Sequence, residues 1–184
     1  IDSIRRMGNK VYLFTRPRRF GKTLNMSMLD AYFNEKYAGN AWFDGLRISE
    51  LIPNDPRKNS CTVVFLSMKD LRSDTYEGFL EMIGWKMGDV YGSFPELRES
   101  ARLDDSQKMS YHDVWMRSAG ETALKNSLCD LAKMLTAEHG RRVVLLIDEY
   151  DNAVNEAESD ELRMRILGFM STFLSSALKD SSSL

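Results

Sequence analysis

Val11-Tyr12-Leu13-Phe14-Thr15-Arg16-Pro17-Arg18-Arg19-Phe20-Gly21-Lys22-Thr23-Leu24 joins a run of β-branched and aromatic residues to a helical pattern through a basic loop. The first five residues predict a buried strand. Leu24, Met28, Ala31 and Tyr32 then recur at helical spacing, and Gly39 with Asn40 supplies a stop. Between strand and helix, Arg16 to Thr23 comply with the phosphate-loop pattern G-x-x-x-x-G-K-[ST] at seven of its eight positions.

The chemistry of such a loop assigns a task to each residue type. Backbone N–H groups at the start of a helix point at phosphate oxygens, and a glycine at position 21 lets that backbone come close. Lys22 brings a mobile positive charge, and the Thr23 hydroxyl is suited to ligating Mg2+. Arg16 departs from the pattern, because a Cβ in the left-handed conformation costs about 1 to 2 kcal/mol. Pro17 disfavours the helical region at Arg16 and has no N–H, which predicts a more extended entry with one donor fewer. Arg18 and Arg19 add charge near the phosphates. The candidate nucleotide-binding residues are therefore Arg16, Pro17, Arg18, Arg19, Phe20, Gly21, Lys22 and Thr23.

A second stretch completes the constellation. Val143-Val144-Leu145-Leu146-Ile147 is a continuous apolar run that passes straight into Asp148 and Glu149. In open α/β sheets ligands gather at the carboxyl ends of the strands, which is where this reading places the two carboxylates. Asp148, with Thr23, is the candidate metal ligand. Glu149 is the candidate group for orienting or deprotonating an attacking water, and Lys22 and Glu149 are the candidate catalytic pair. Asp151 is open between a site role and helix capping.

The rest of the chain fits an α/β order. Gly39, Gly45, Pro53 and Pro56 predict a loop with one short helical turn over 39–60, and Thr62 to Leu66 reads as a second buried strand. Phe79, Met82, Ile83, Met87 and Val90 place an amphipathic helix over 73–91, and the polar segment 92–120 reads as an irregular insertion. Leu124, Leu128, Leu131 and Leu135 mark a helix that Gly140 ends, and Leu162, Ile166, Phe169, Phe173 and Ala177 mark a last one. Continuous apolar strands alternating with helices predict a parallel sheet covered on both faces, in one domain.

Composition narrows the class further. With 184 residues, 43% hydrophobic and 28% charged, the chain reads as globular, and its net charge of -2 points to no partner. Residues 1–25 nevertheless hold seven Lys or Arg against Asp2, and 144–161 hold seven Asp or Glu with no base. These two poles suit an anionic phosphate together with a cation, and equally two solvated faces. Cys61 and Cys129 lack metal-binding spacing and read as small core residues, while His112 and His139 read as surface or helix-end residues. The absence of a long apolar run predicts no membrane span and a cytoplasmic setting.

The loop string Arg16-Pro17-Arg18-Arg19-Phe20-Gly21-Lys22-Thr23-Leu24, together with Leu146-Ile147-Asp148-Glu149-Tyr150-Asp151, resembles the AAA-ATPase-like family of bacterial and archaeal proteins. Ser27-Met28-Leu29, Trp42-Phe43-Asp44-Gly45-Leu46 and Leu178-Lys179-Asp180 extend the similarity along the chain. The resemblance implies a P-loop NTPase fold, a three-layer α/β/α sandwich, with ATP and Mg2+ as cofactors and Arg16 as the family's own variant. It also implies a further strand after Lys179-Asp180 and commonly a C-terminal nuclease-like domain of the PD-(D/E)XK type, so that 1–184 reads as a C-terminally incomplete NTPase domain. Two functions follow: Mg2+-dependent ATP hydrolysis, or a nucleotide-binding switch that regulates an attached domain without useful turnover. A nucleic-acid surface ranks below both, because five of the seven N-terminal bases flank or lie within the loop.

Overall fold

A computed structural model describes residues 1, 11–13, 21–141 and 143–179 of the chain. Among these residues two parallel strands, β1 (Thr62–Ser67) and β2 (Val143–Asp148), pair in register from Thr62 with Val143 to Ser67 with Asp148. The order is α1 (Lys22–Phe33), α2 (Arg47–Leu51), β1, α3 (Tyr76–Gly92), α4 (Asp105–Trp115), α5 (Glu121–His139), β2, α6 (Asn152–Asn155) and α7 (Asp160–Lys179), with single 3-10 turns at Glu35–Tyr37 and Pro95–Arg98. Parallel strands need a crossover, and here α3, α4 and α5 supply it.

Side chains of a strand alternate between faces, so each strand serves two cores. Val63 and Leu146, with Phe65 and Val144 beside them, pack against Leu29, Tyr32 and Phe33 of α1 and against Phe43. Val64, Leu66 and Val143, with Leu145 and Ile147, face the opposite way into a larger core with Phe79, Ile83, Leu128 and Phe169. Helix α1 thus covers one face of the sheet, and the α3, α5 and α7 group covers the other. Phe79 and Phe169 meet edge to face at 5.2 Å between ring centroids, and Phe169 is 1% exposed. Truncating Phe169 to Ala leaves a cavity at the junction of α3 and α7. It is expected to cost about 3 to 5 kcal/mol, measured by urea unfolding with helical content retained in the folded state.

The expected strands at 62–66 and 143–147 and the three long helices form where the periodicity placed them. Thr75 caps α3 through a bond from the Gly78 N–H, at 3.1 Å, and Gly140 ends α5 in the left-handed conformation. Leu162, Ile166, Phe169, Phe173 and Ala177 are all buried.

Three expectations need correction. The segment 92–120 is not irregular: it holds the Pro95–Arg98 turn and α4, whose first turn is closed by a reciprocal capping box between Asp104 and Gln107. Tyr111 of α4 is buried and donates to the carbonyls of Tyr91 and Phe94 at 2.7 and 3.1 Å, which ties the insertion to the end of α3. The apolar face of α1 is the expected one only in part: Tyr32 is buried and Ala31 packs beside it, but the start of the expected stripe lies off the sheet. Leu29 and Phe33 face the sheet, while Leu24 and Met28 are exposed, because the two described strands lie under only one side of the helix. Finally, Val11 to Leu13 are not in a strand, and Val11 and Leu13 are exposed, since no described strand offers them a ladder. Phe14 and Thr15 of that expected strand lie outside the described residues.

Of the two cysteines, Cys129 is buried and Cys61 half-buried. His139 closes α5 with Nδ1 2.5 Å from the Thr62 hydroxyl and Nε2 3.4 Å from a Glu96 carboxylate oxygen, a helix-end position as expected. Among the described residues no helix is long and apolar enough to cross a membrane.

Candidate functional site

The carboxyl ends of β1 and β2 lie side by side, and the amino end of α1 approaches them from the face that Val144, Leu146 and Asp148 share. Gly21 stands immediately before α1 with φ of 69° and ψ of 27°, and a Cβ built there meets nothing within 4 Å. Conformation rather than space therefore demands glycine at this position. Its carbonyl accepts the Asn25 N–H at 2.9 Å, so the first turn of α1 is anchored on it. Lys22 is half-buried at the first helical position, and Thr23 follows.

The Thr23 hydroxyl donates to a carboxylate oxygen of Asp148 at 2.7 Å. Asp148 is 5% exposed, and among the described residues no cation pairs with it. A cation beside this carboxylate would supply the opposite charge that a mostly buried acid ordinarily takes as a partner. Two protein oxygens with room for water and phosphate are what Mg2+ typically takes, whereas a dedicated cage of ligands is the habit of other ions. No group of three or more His, Cys, Asp or Glu side chains forms a metal cage among the described residues. Thr23 and Asp148, the two residues that the sequence names as candidate metal ligands, are the oxygen donors brought together here.

Glu149 follows at the strand end, half-buried, with φ of 53°. A non-glycine residue in this region is strained by about 1 to 3 kcal/mol and persists only where its surroundings hold it. Two links from the β1 side hold this turn. The Met68 N–H donates to the Asp148 carbonyl at 2.9 Å, and the Asn152 side-chain amide donates to the Lys69 carbonyl at 2.6 Å. Asp151, left open by the sequence, precedes α6 and accepts from the Asn155 side chain at 2.9 Å, but its side chain caps none of the helix's backbone N–H groups.

Gly21, Lys22, Thr23, Asp148 and Glu149 thus belong to one locality, while Arg16 to Phe20 lie outside the described residues. Sequence reasoning missed the β1 end. Ser67 is the register partner of Asp148 on the same sheet face, and Lys69 and Asn152 link the two strand ends. No motif marks these residues; the signal was positional, since any residue closing a parallel strand next to Asp148 must sit by the site.

A lysine and a threonine opening a helix, with the threonine bonded to the buried aspartate that ends a parallel strand, define an α/β protein with a polar cluster at its strand ends. A family profile described as Predicted AAA-ATPase matches residues 1–184, and the chain belongs to that family. Membership supports a nucleotide-binding, ATPase-like module. No curated protein and no solved structure matches the chain.

Proposed function

We propose that this chain is a Mg2+-dependent ATP-binding module of the P-loop kind that hydrolyses ATP. The observation that carries the reading is the 2.7 Å bond between Thr23 and Asp148, which joins the helix opening to the strand end across 125 residues of sequence. Lys22 and the N–H groups at the start of α1 bind phosphate, helped by the helix dipole. Thr23 and Asp148 hold the metal, which when bound neutralises charge on the phosphate oxygens. Glu149 orients the attacking water and receives its proton. Arg16 to Phe20 form the remainder of the phosphate loop in this reading.

Family membership and the cover of helices on both sheet faces support a wider P-loop sandwich, of which β1 and β2 are two strands. The exposed Leu24 and Met28 on α1 are the surface that such a sheet would bury. A nuclease-like domain joined to this one belongs to the same proposal, as the structure on which nucleotide state would act. Calorimetric titration tests the core of it: ATP binds with Mg2+ present and at least about tenfold more weakly when the metal is chelated. Metal-independent binding of equal strength would remove Thr23 and Asp148 from the metal role.

A further inference from the structure

We infer that Asn152 is a positioning residue for hydrolysis, acting through Glu149; this rests on the water-handling reading of Glu149 given above. Glu149 has a backbone conformation that L residues rarely adopt, with φ of 53°. Left to itself, the chain at this point would relax toward negative φ, and the carboxylate would swing with it. Something must therefore hold the turn, and the hydrogen bonds around it identify what does.

Asn152 grips the turn at both its ends. Its backbone N–H donates to the Glu149 carbonyl at 3.0 Å, closing the turn over Tyr150 and Asp151. Its side-chain amide donates to the Lys69 carbonyl at 2.6 Å, fastening that turn to the loop after β1. The Met68 N–H, bonded to the Asp148 carbonyl at 2.9 Å, fixes the residue just before Glu149 to the same loop. Glu149 is thus suspended between two anchors on one neighbouring strand end, and the Asn152 amide is the anchor made by a side chain. Asn152 itself is half-buried and forms the first residue of α6, so its own backbone is held by the helix that follows.

The geometry requires a donor at this position. An aspartate of the same shape would turn an acceptor toward the Lys69 carbonyl and lose the bond, and alanine would lose it without adding charge. Neither change touches the Thr23 to Asp148 bond, the Gly21 turn or Lys22. Misplacing a reacting group by about 1 Å costs on the order of 100-fold in rate. Asn152→Asp and Asn152→Ala are therefore expected to lower kcat by about 10-fold to 100-fold, with Mg-ATP affinity changed by no more than about twofold.

The test measures turnover and Mg-ATP binding for the parent, Asn152→Asp, Asn152→Ala, Glu149→Gln and the Glu149→Gln/Asn152→Asp double variant, with amide hydrogen exchange over 148–152 as a readout independent of activity. The expected result has three parts: exchange over 149–151 is faster in both Asn152 variants but unchanged in β1 and α1; kcat falls without loss of affinity; and the double variant is no slower than Glu149→Gln alone. Parent-like turnover in Asn152→Asp and Asn152→Ala, or fully additive losses in the double variant, would overturn the positioning role. Full turnover in Glu149→Gln would instead overturn the reading of Glu149 itself, and the role of Asn152 with it.

Discussion

Replacing Lys22 with Ala is expected to weaken Mg-ATP binding by about 10-fold to 150-fold, the loss that follows from removing one charge-assisted bond of about 1.5 to 3 kcal/mol. The effect is separable from folding. Lys22 occupies the first position of α1, where a positive side chain opposes the helix dipole, and alanine has the better helix propensity. The substitution should therefore leave the helix as stable as before or slightly more so. Among the described residues no ion pair holds Lys22, so its removal strands no buried partner. Calorimetry on the parent and on Lys22→Ala, with circular dichroism to show that both are folded, decides the matter. Equal affinity would remove Lys22 from phosphate binding, and a folded parent that binds no nucleotide would overturn the proposed function as a whole.

Glu149→Gln is expected to keep Mg-ATP affinity and to lose about 100-fold to 10,000-fold in turnover, the usual contribution of a positioned general base. Glutamine preserves the length and the hydrogen-bonding reach of the side chain but has no basic oxygen to take a proton. The left-handed backbone at Glu149 is common to both side chains, so the loss reports the carboxylate's chemistry and not a change of fold. The two bonds from the β1 end hold that conformation in place. Single-turnover measurement separates the chemical step from product release. Undiminished hydrolysis in Glu149→Gln would leave the chain as a nucleotide-dependent switch, the second function that the sequence allowed.

Helices α3, α5 and α7 and strands β1 and β2 were legible because each carries its own periodicity. A stripe such as Leu162, Ile166, Phe169, Phe173 and Ala177 has one face to bury, whatever lies opposite. Helix α4 escaped that reading because Tyr111 and Val114 are the only buried residues along its length. Its start was written in Asp104 and Gln107, a capping signal three residues apart that does not depend on an apolar stripe. The face of α1 was legible only in part, for a different reason. Apolar residues occur all around it, at Leu24 and Met28 as well as Leu29 and Phe33, so the choice among them was made by where the strands lie.

The candidate site divides in the same way. The residue types were fixed by local chemistry: a glycine that must take a left-handed turn, a lysine and threonine opening a helix, and carboxylates closing an apolar strand. What tertiary structure decided was proximity and aim. Thr23 and Asp148 meet at 2.7 Å only because α1 packs on the face of β2 that carries Val144 and Leu146. Glu149 is held in its strained turn only because β1 pairs with β2 and brings Met68 and Lys69 alongside. A local pattern can specify a strand end or a helix start, since those depend on neighbours along the chain. Which strand end lies beside which helix start depends on how whole faces are buried together, and that is a property of the packed molecule.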